Sequence, residues 1–79
     1  MTKETIIQKV NEVLADKLGF EVSDIKPESL LHEDLTVDSL DCVELLMEYE
    51  KVFDIHIKDE DAEQCDTVQK VYDLIETLV

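Results

Sequence analysis

A chain with a single glycine and a single proline, Gly19 and Pro27, has almost no material for tight hairpins. An all-β fold needs many such turns, built from residues that accept positive φ or fix the chain direction. Helices remain, and the apolar spacing agrees. Ile6, Ile7, Val10, Val13, Leu14 and Leu18 recur at steps of three and four, which marks one face of a helix over residues 3–18. Thr2 or Thr5 suits its start and Gly19 its end. Cys42, Leu45, Leu46, Tyr49, Val52 and Phe53 form the core face of a second helix over residues 39–52. A last helix is expected after Asp66, its predicted N-cap, with Val68, Val71, Tyr72, Leu74, Ile75 and Leu78 on its apolar side. A short helical turn over residues 59–63 precedes it. The reading is an all-α fold, a small antiparallel four-helix bundle of three main helices and one short one, in a single domain spanning residues 1–79. A core this small leaves marginal stability.

Between the first two helices lies a long stretch, residues 20–38. Ser23, Asp24, Pro27, Glu28 and Ser29 break any long helix there. Phe20, Val22, Ile25, Leu30, Leu31 and Leu35 are expected to pin it to the core. Loops of this length in small domains tend to be functional.

Charge narrows the partners. Twenty-one acids face seven lysines, a formal net charge of −14, so nucleic acid and anionic membrane are repelled. The acids concentrate in residues 33–63, which hold 12 of them against 2 lysines. A basic protein surface is the partner this favours. No secretory or transmembrane run is present, so a cytoplasmic location without stable membrane insertion is expected. Cys42 and Cys65 are expected to be reduced thiols in that compartment. No metal site is expected, because one would need more soft ligands at closer spacing.

The second helix carries more apolar surface than a core face requires. Leu40, Val43 and Met47 fall on a second, narrower stripe bordered by Glu44, Lys51 and Glu50. Glu44 and Glu48 at i,i+4, and Asp41 and Glu44 at i,i+3, repel by roughly 0.2–0.5 kcal/mol per pair. Such a pattern fits either a docking surface or a solvated acidic face beside a second buried stripe. A serine at the start of this helix, Ser39, suits an N-cap and equally a phosphodiester, since free N–H groups and the helix dipole favour an anion there. The preceding loop is expected to leave its hydroxyl exposed.

The stretch Glu33-Asp34-Leu35-Thr36-Val37-Asp38-Ser39-Leu40-Asp41 resembles the modification site of acyl carrier proteins, where an Asp-Ser-Leu triplet opens the second helix. Val43-Glu44-Leu45, Met47, Glu50, Phe53-Asp54, Asp59-Glu60, Ala62-Glu63 and Thr67-Val68 also resemble family positions, in order, over essentially the whole chain. The resemblance implies a stand-alone carrier of the fatty-acid-synthesis type. Its cofactor would be 4′-phosphopantetheine from coenzyme A, attached to Ser39 by a phosphopantetheinyl transferase, with the acyl chain held as a thioester. The partners would be fatty acid synthesis enzymes with basic docking patches, and the chain a non-catalytic monomer. It implies a docking surface of Asp38, Leu40, Asp41, Val43, Glu44, Met47, Glu48, Glu50, Ile57, Asp59 and Glu63. It implies an acyl pocket of Leu45, Tyr49, Phe53, Cys65 and Val68. Catalytic machinery is not expected: no G-x-S-x-G elbow surrounds Ser39, and neither His32 nor His56 has an evident triad partner.

Some residues depart from the family pattern. Thr36 and Val37 stand where many carriers have Gly and Ala, Lys51 where an acid is common, and Lys58 where a proline is frequent. Tyr49 replaces a common leucine, and Cys65 a residue that is usually aliphatic. A dedicated carrier for polyketide, peptide or aminoacyl thioesters would share the Asp-Ser-Leu site. An acidic calcium-binding loop starting at Asp34 fails the EF-hand pattern, with Ser39 at the turn glycine and Leu45 at the twelfth-position glutamate. A plain interaction module without a prosthetic group is the remaining alternative.

Overall fold

Of the two threonines suited to cap the first helix, Thr2 does so: its Oγ1 accepts from the backbone N–H of Thr5 at 3.2 Å. Helix α1 then runs Lys3–Leu18 and ends at Gly19, whose φ of 78° lets its N–H return to the Ala15 carbonyl. A β-carbon is disfavoured at that angle. The computed structural model describes residues 2–79, with Ser39 described as a backbone position and not for its side chain.

Helix α2 (Ser39–Phe53), the short α3 (Asp59–Glu63) and α4 (Val68–Leu78) complete the four-helix bundle, with a three-residue 3-10 turn at Val22–Asp24. The cap of α4 is Thr67, accepting from the Lys70 N–H, and not the expected Asp66. Asp66 is exposed and instead pairs with Lys70 Nζ at 2.9 Å. That ammonium holds its carboxyl below the ordinary carboxylate range.

Helix α1 packs against both α2 and α4. Ile6, Val10 and Leu14 of α1 meet Leu45, Tyr49 and Phe53 of α2 and Val68, Val71, Tyr72 and Ile75 of α4 in one core. Each fully buried aliphatic side chain contributes about 1.5–3 kcal/mol. Tyr72, Asn11 and Tyr49 bring polar groups in with them, and both tyrosine hydroxyls are satisfied. Tyr72 Oη donates to Asn11 Oδ1, and Tyr49 Oη donates to the Val10 carbonyl at 3.3 Å. Left unpaired, either would cost more than the bond contributes.

The long loop is held to the start of α4 by its backbone. Leu31 N donates to Asp66 O, Val68 N to Ser29 O and Gln69 N to Pro27 O, at 3.0, 3.1 and 2.8 Å. An isolated antiparallel bridge joins Leu30 to Thr67. Ile25, Leu31 and Leu35 are buried as expected, and Val37 joins them, but Val22 is 45% exposed and anchors nothing. Residues 27–31 are thus stitched to the start of α4, and the Val37 N–H bonds back to Leu31 O at 2.9 Å, which positions the start of α2.

Candidate functional site at the start of helix α2

Asp38 begins the site. Its Oδ1 accepts from the Asp41 N–H at 2.8 Å, and Asp41 Oδ2 accepts from the Asp38 N–H at 3.4 Å, a reciprocal capping box. Asp38 is therefore the N-cap, and Ser39 is the first helical residue instead of the cap. The expected exposure of its hydroxyl lies outside the described features. Ser39 is the one hydroxyl residue in the first turn, Ser39-Leu40-Asp41-Cys42, and capping makes no demand on it.

The turn before Asp38 is strained. Thr36 has φ of 54°, a left-handed conformation that a β-branched residue rarely adopts. Its Oγ1 donates to Leu35 O at 2.7 Å. This is the position where a glycine is common in the family that the sequence resembles, and the structure keeps the backbone a glycine would take.

The second apolar stripe of α2 faces solvent. Leu40, Val43 and Met47 are 67%, 54% and 56% exposed, which excludes the buried alternative. Glu44, Asp59 and Glu63 are exposed and Glu48 is half-buried. Two residues expected on this surface do other work. Ile57 is buried in the core, and Glu50 Oε2 accepts from the Ile57 N–H at 3.0 Å and lies 3.2 Å from His56 Nδ1. Glu50 thus ties the chain after α2 to the helix end. Among the described residues, no cluster of three or more metal-ligating side chains is found.

Between α2 and α4 lies an apolar cavity of about 30 Å³, lined by Leu14, Leu31, Val37, Cys42, Leu45, Leu46, Tyr49, Ile57, Ala62, Cys65, Val71, Leu74 and Ile75. Leu45, Tyr49 and Cys65 of the expected pocket line it. Phe53 and Val68 do not: Phe53 stacks obliquely on Tyr49, 6.4 Å between ring centroids, and Val68 is sealed in the core. A surface groove of about 410 Å³ borders α2 and α3 and shares Leu31, Val37, Cys42, Leu46, Ala62 and Cys65 with the cavity. Only side chains separate the two. The cavity has room for no more than a water or two, so a longer guest requires those side chains to move.

Burial pushes the Cys65 thiol up to about 11, with smaller contributions from Cys42 and Asp61, and burial likewise raises Cys42. The thiolate is the reactive form. At about pH 8, Cys65 is therefore expected to alkylate about 10-fold more slowly than a thiol of ordinary pKa, its smaller thiolate fraction being partly offset by the greater nucleophilicity of a more basic thiolate. Its rate should still be rising at pH 10. Timed iodoacetamide labelling followed by peptide mapping checks this, and rapid labelling at neutral pH contradicts it.

The family model of the phosphopantetheine attachment site matches residues 8–75. The chain is 47% identical over 75 residues to an acyl carrier protein of Rubrobacter xylanophilus, covering 95% of this chain and 93% of that one. The chain belongs to the acyl carrier protein family. An acyl carrier protein of Chlorobium phaeobacteroides is 49% identical over 75 residues, covering 95% and 96%. A solved structure of the acyl carrier protein from Enterococcus faecalis superposes with a TM-score of 0.84 at 32% identity, over all of both chains. Family membership brings 4′-phosphopantetheine as prosthetic group. The residues present fit such a group: a hydroxyl residue in the first turn, a cap that leaves it unneeded, and a groove bordered by Val37, Cys42 and Val43 on either side of it in sequence.

Proposed function

We propose that Ser39 carries the phosphopantetheine arm, and that the chain holds growing fatty acyl groups on it and presents them to the enzymes of fatty acid synthesis. The prosthetic group supplies a thiol, which holds an acyl group as a thioester. The observation that carries this reading is the arrangement at the start of α2. Ser39 is the first helical residue behind the Asp38 cap, one residue before the exposed Leu40 that begins the apolar stripe and two residues after Val37, which lines the groove.

The chain's own residues divide the remaining work. The first turn of α2 presents backbone N–H groups and the positive end of the helix dipole, which suit a phosphodiester. Leu45, Tyr49 and Cys65, with the other cavity residues, receive the acyl tail when their side chains part. Leu40, Val43 and Met47 give the partner an apolar anchor, and Glu44, Glu48, Asp59 and Glu63 select a basic one. Asp38 and Asp41 serve that surface from the capping box, with part of their hydrogen-bonding capacity already used. The protein acts as a substrate of its partners, without catalysis of its own, as a monomer in the cytoplasm. Among the described residues no helix is long and apolar enough to cross a membrane.

Incubation with coenzyme A and a phosphopantetheinyl transferase tests the proposal. The intact mass is expected to rise by one phosphopantetheine per chain. A chain that stays unmodified under conditions that convert a known carrier refutes it.

A further inference from the structure

His32 is not part of the cavity lining; it lines the surface groove with Val37, Val43, Asp59 and Glu63, and it is bonded to the segment that delivers Ser39. Its Nδ1 lies 2.7 Å from the carbonyl oxygen of Val37. A carbonyl can only accept, so Nδ1 carries the proton in this contact. The same Val37 donates its N–H to Leu31 O at 2.9 Å, and its side chain is buried. The peptide unit between Val37 and Asp38 is therefore fixed at both ends. His32 holds its oxygen, and Asp41 of the capping box holds its N–H by the longer bond of 3.4 Å. Thr36, immediately before it, sits in the left-handed region. A strained residue persists only where its surroundings over-determine it. The turn of this peptide plane sets the direction in which the chain enters α2, and Ser39 follows one residue later.

We propose that His32 is a positioning residue for Ser39, holding the Val37–Asp38 peptide in the orientation in which the phosphopantetheinyl transferase meets the serine. This rests on the reading of Ser39 as the attachment site. The imidazole stays a donor at Nδ1 whether or not Nε2 is protonated, so the latch acts in both charge states. His32 is exposed, so its replacement leaves the core intact.

The test uses the full chain with His32→Leu, which removes the donor, and His32→Asn, whose side-chain amide offers an N–H close to the position of Nδ1. One partly buried hydrogen bond shifts a local equilibrium by about 2- to 10-fold. In His32→Leu the amide of Asp38, which is the N–H of the Val37–Asp38 peptide, and the neighbouring Val37 amide are expected to exchange with deuterium faster by about that factor. The kcat/KM for transfer from coenzyme A should fall to a similar extent, while amides in the middle of α2 keep their protection. His32→Asn should restore most of both. Unchanged exchange and transfer in His32→Leu overturn the proposal, and so does equal impairment in both variants. If the parent itself accepts no phosphopantetheine, the attachment reading fails and with it the role toward the transferase. Accelerated exchange at Asp38 and Val37 in His32→Leu alone would then show only that the contact holds the turn.

Discussion

The Ser39→Ala chain is expected to gain no phosphopantetheine under conditions that convert the parent completely, and to melt at nearly the same temperature. The loss should be total because every other hydroxyl lies outside the first turn of α2, and most are already bonded. Thr36 Oγ1 is bonded to its neighbouring carbonyl. Ser29 Oγ accepts from Lys26 N at 3.3 Å, and its backbone is tied to α4. Thr2 and Thr67 are helix caps, and Thr77 Oγ1 donates to Leu74 O. Ser23 is exposed but sits in the 3-10 turn, with no α-helix N-terminus behind it. The fold should tolerate the change because Asp38 performs the capping, and alanine is the best former at an ordinary helical position. A stability change within about 0.5 kcal/mol is expected. Intact mass and thermal melting on the same sample decide it. A mass gain retained by the alanine chain moves the site elsewhere, first to Ser23. A large drop in melting temperature gives the serine a structural role that the capping box does not leave for it.

The helices and the attachment motif were legible because both rest on local patterns. Periods of three and four, a threonine before α1 and a glycine after it are read directly from residue types. The features that escaped depend on contacts between distant segments. Backbone bonds from residues 27–31 to residues 66–69 leave no side-chain signature. Ile57 lies beyond the end of α2 with only Ile55 near it in sequence, so no helical period marks it as core, yet it is buried and its N–H is bonded to Glu50. Asp66 and Thr67 are both good caps, and only the register of α4 against the loop selects the second. Phe53 and Val68 lie on the correct faces for a pocket. They miss the cavity because it opens toward α3, while Phe53 pairs with Tyr49 and Val68 is sealed by the core.

Reversing one charge on α2, Glu44→Lys, is expected to slow acyl transfer with a fatty-acid-synthesis partner by roughly 10-fold at low ionic strength while leaving the fold at least as stable. Glu44 is exposed, and among the described residues no ion pair involves it. It stands beside Val43 and Met47, which are more than half exposed, so a partner seated on that stripe meets its carboxylate. In the free chain the same carboxylate faces Asp41 and Glu48 at helical spacing, and each like-charge pair opposes the helix by roughly 0.2–0.5 kcal/mol. A lysine there turns repulsion into attraction, so the melting temperature should hold or rise. The kinetic defect should shrink as salt is added, since the Debye length is about 10 Å at 0.1 M. Asp16→Lys on α1, also exposed, changes the net charge equally and serves as control. Slowing confined to Glu44→Lys places the docking on α2, whereas equal slowing in both variants assigns the effect to net charge alone. If Glu44→Lys melts early and its transfer kinetics match the parent, the acids of α2 serve the fold, and the exposed stripe of Leu40, Val43 and Met47 is not where partners bind.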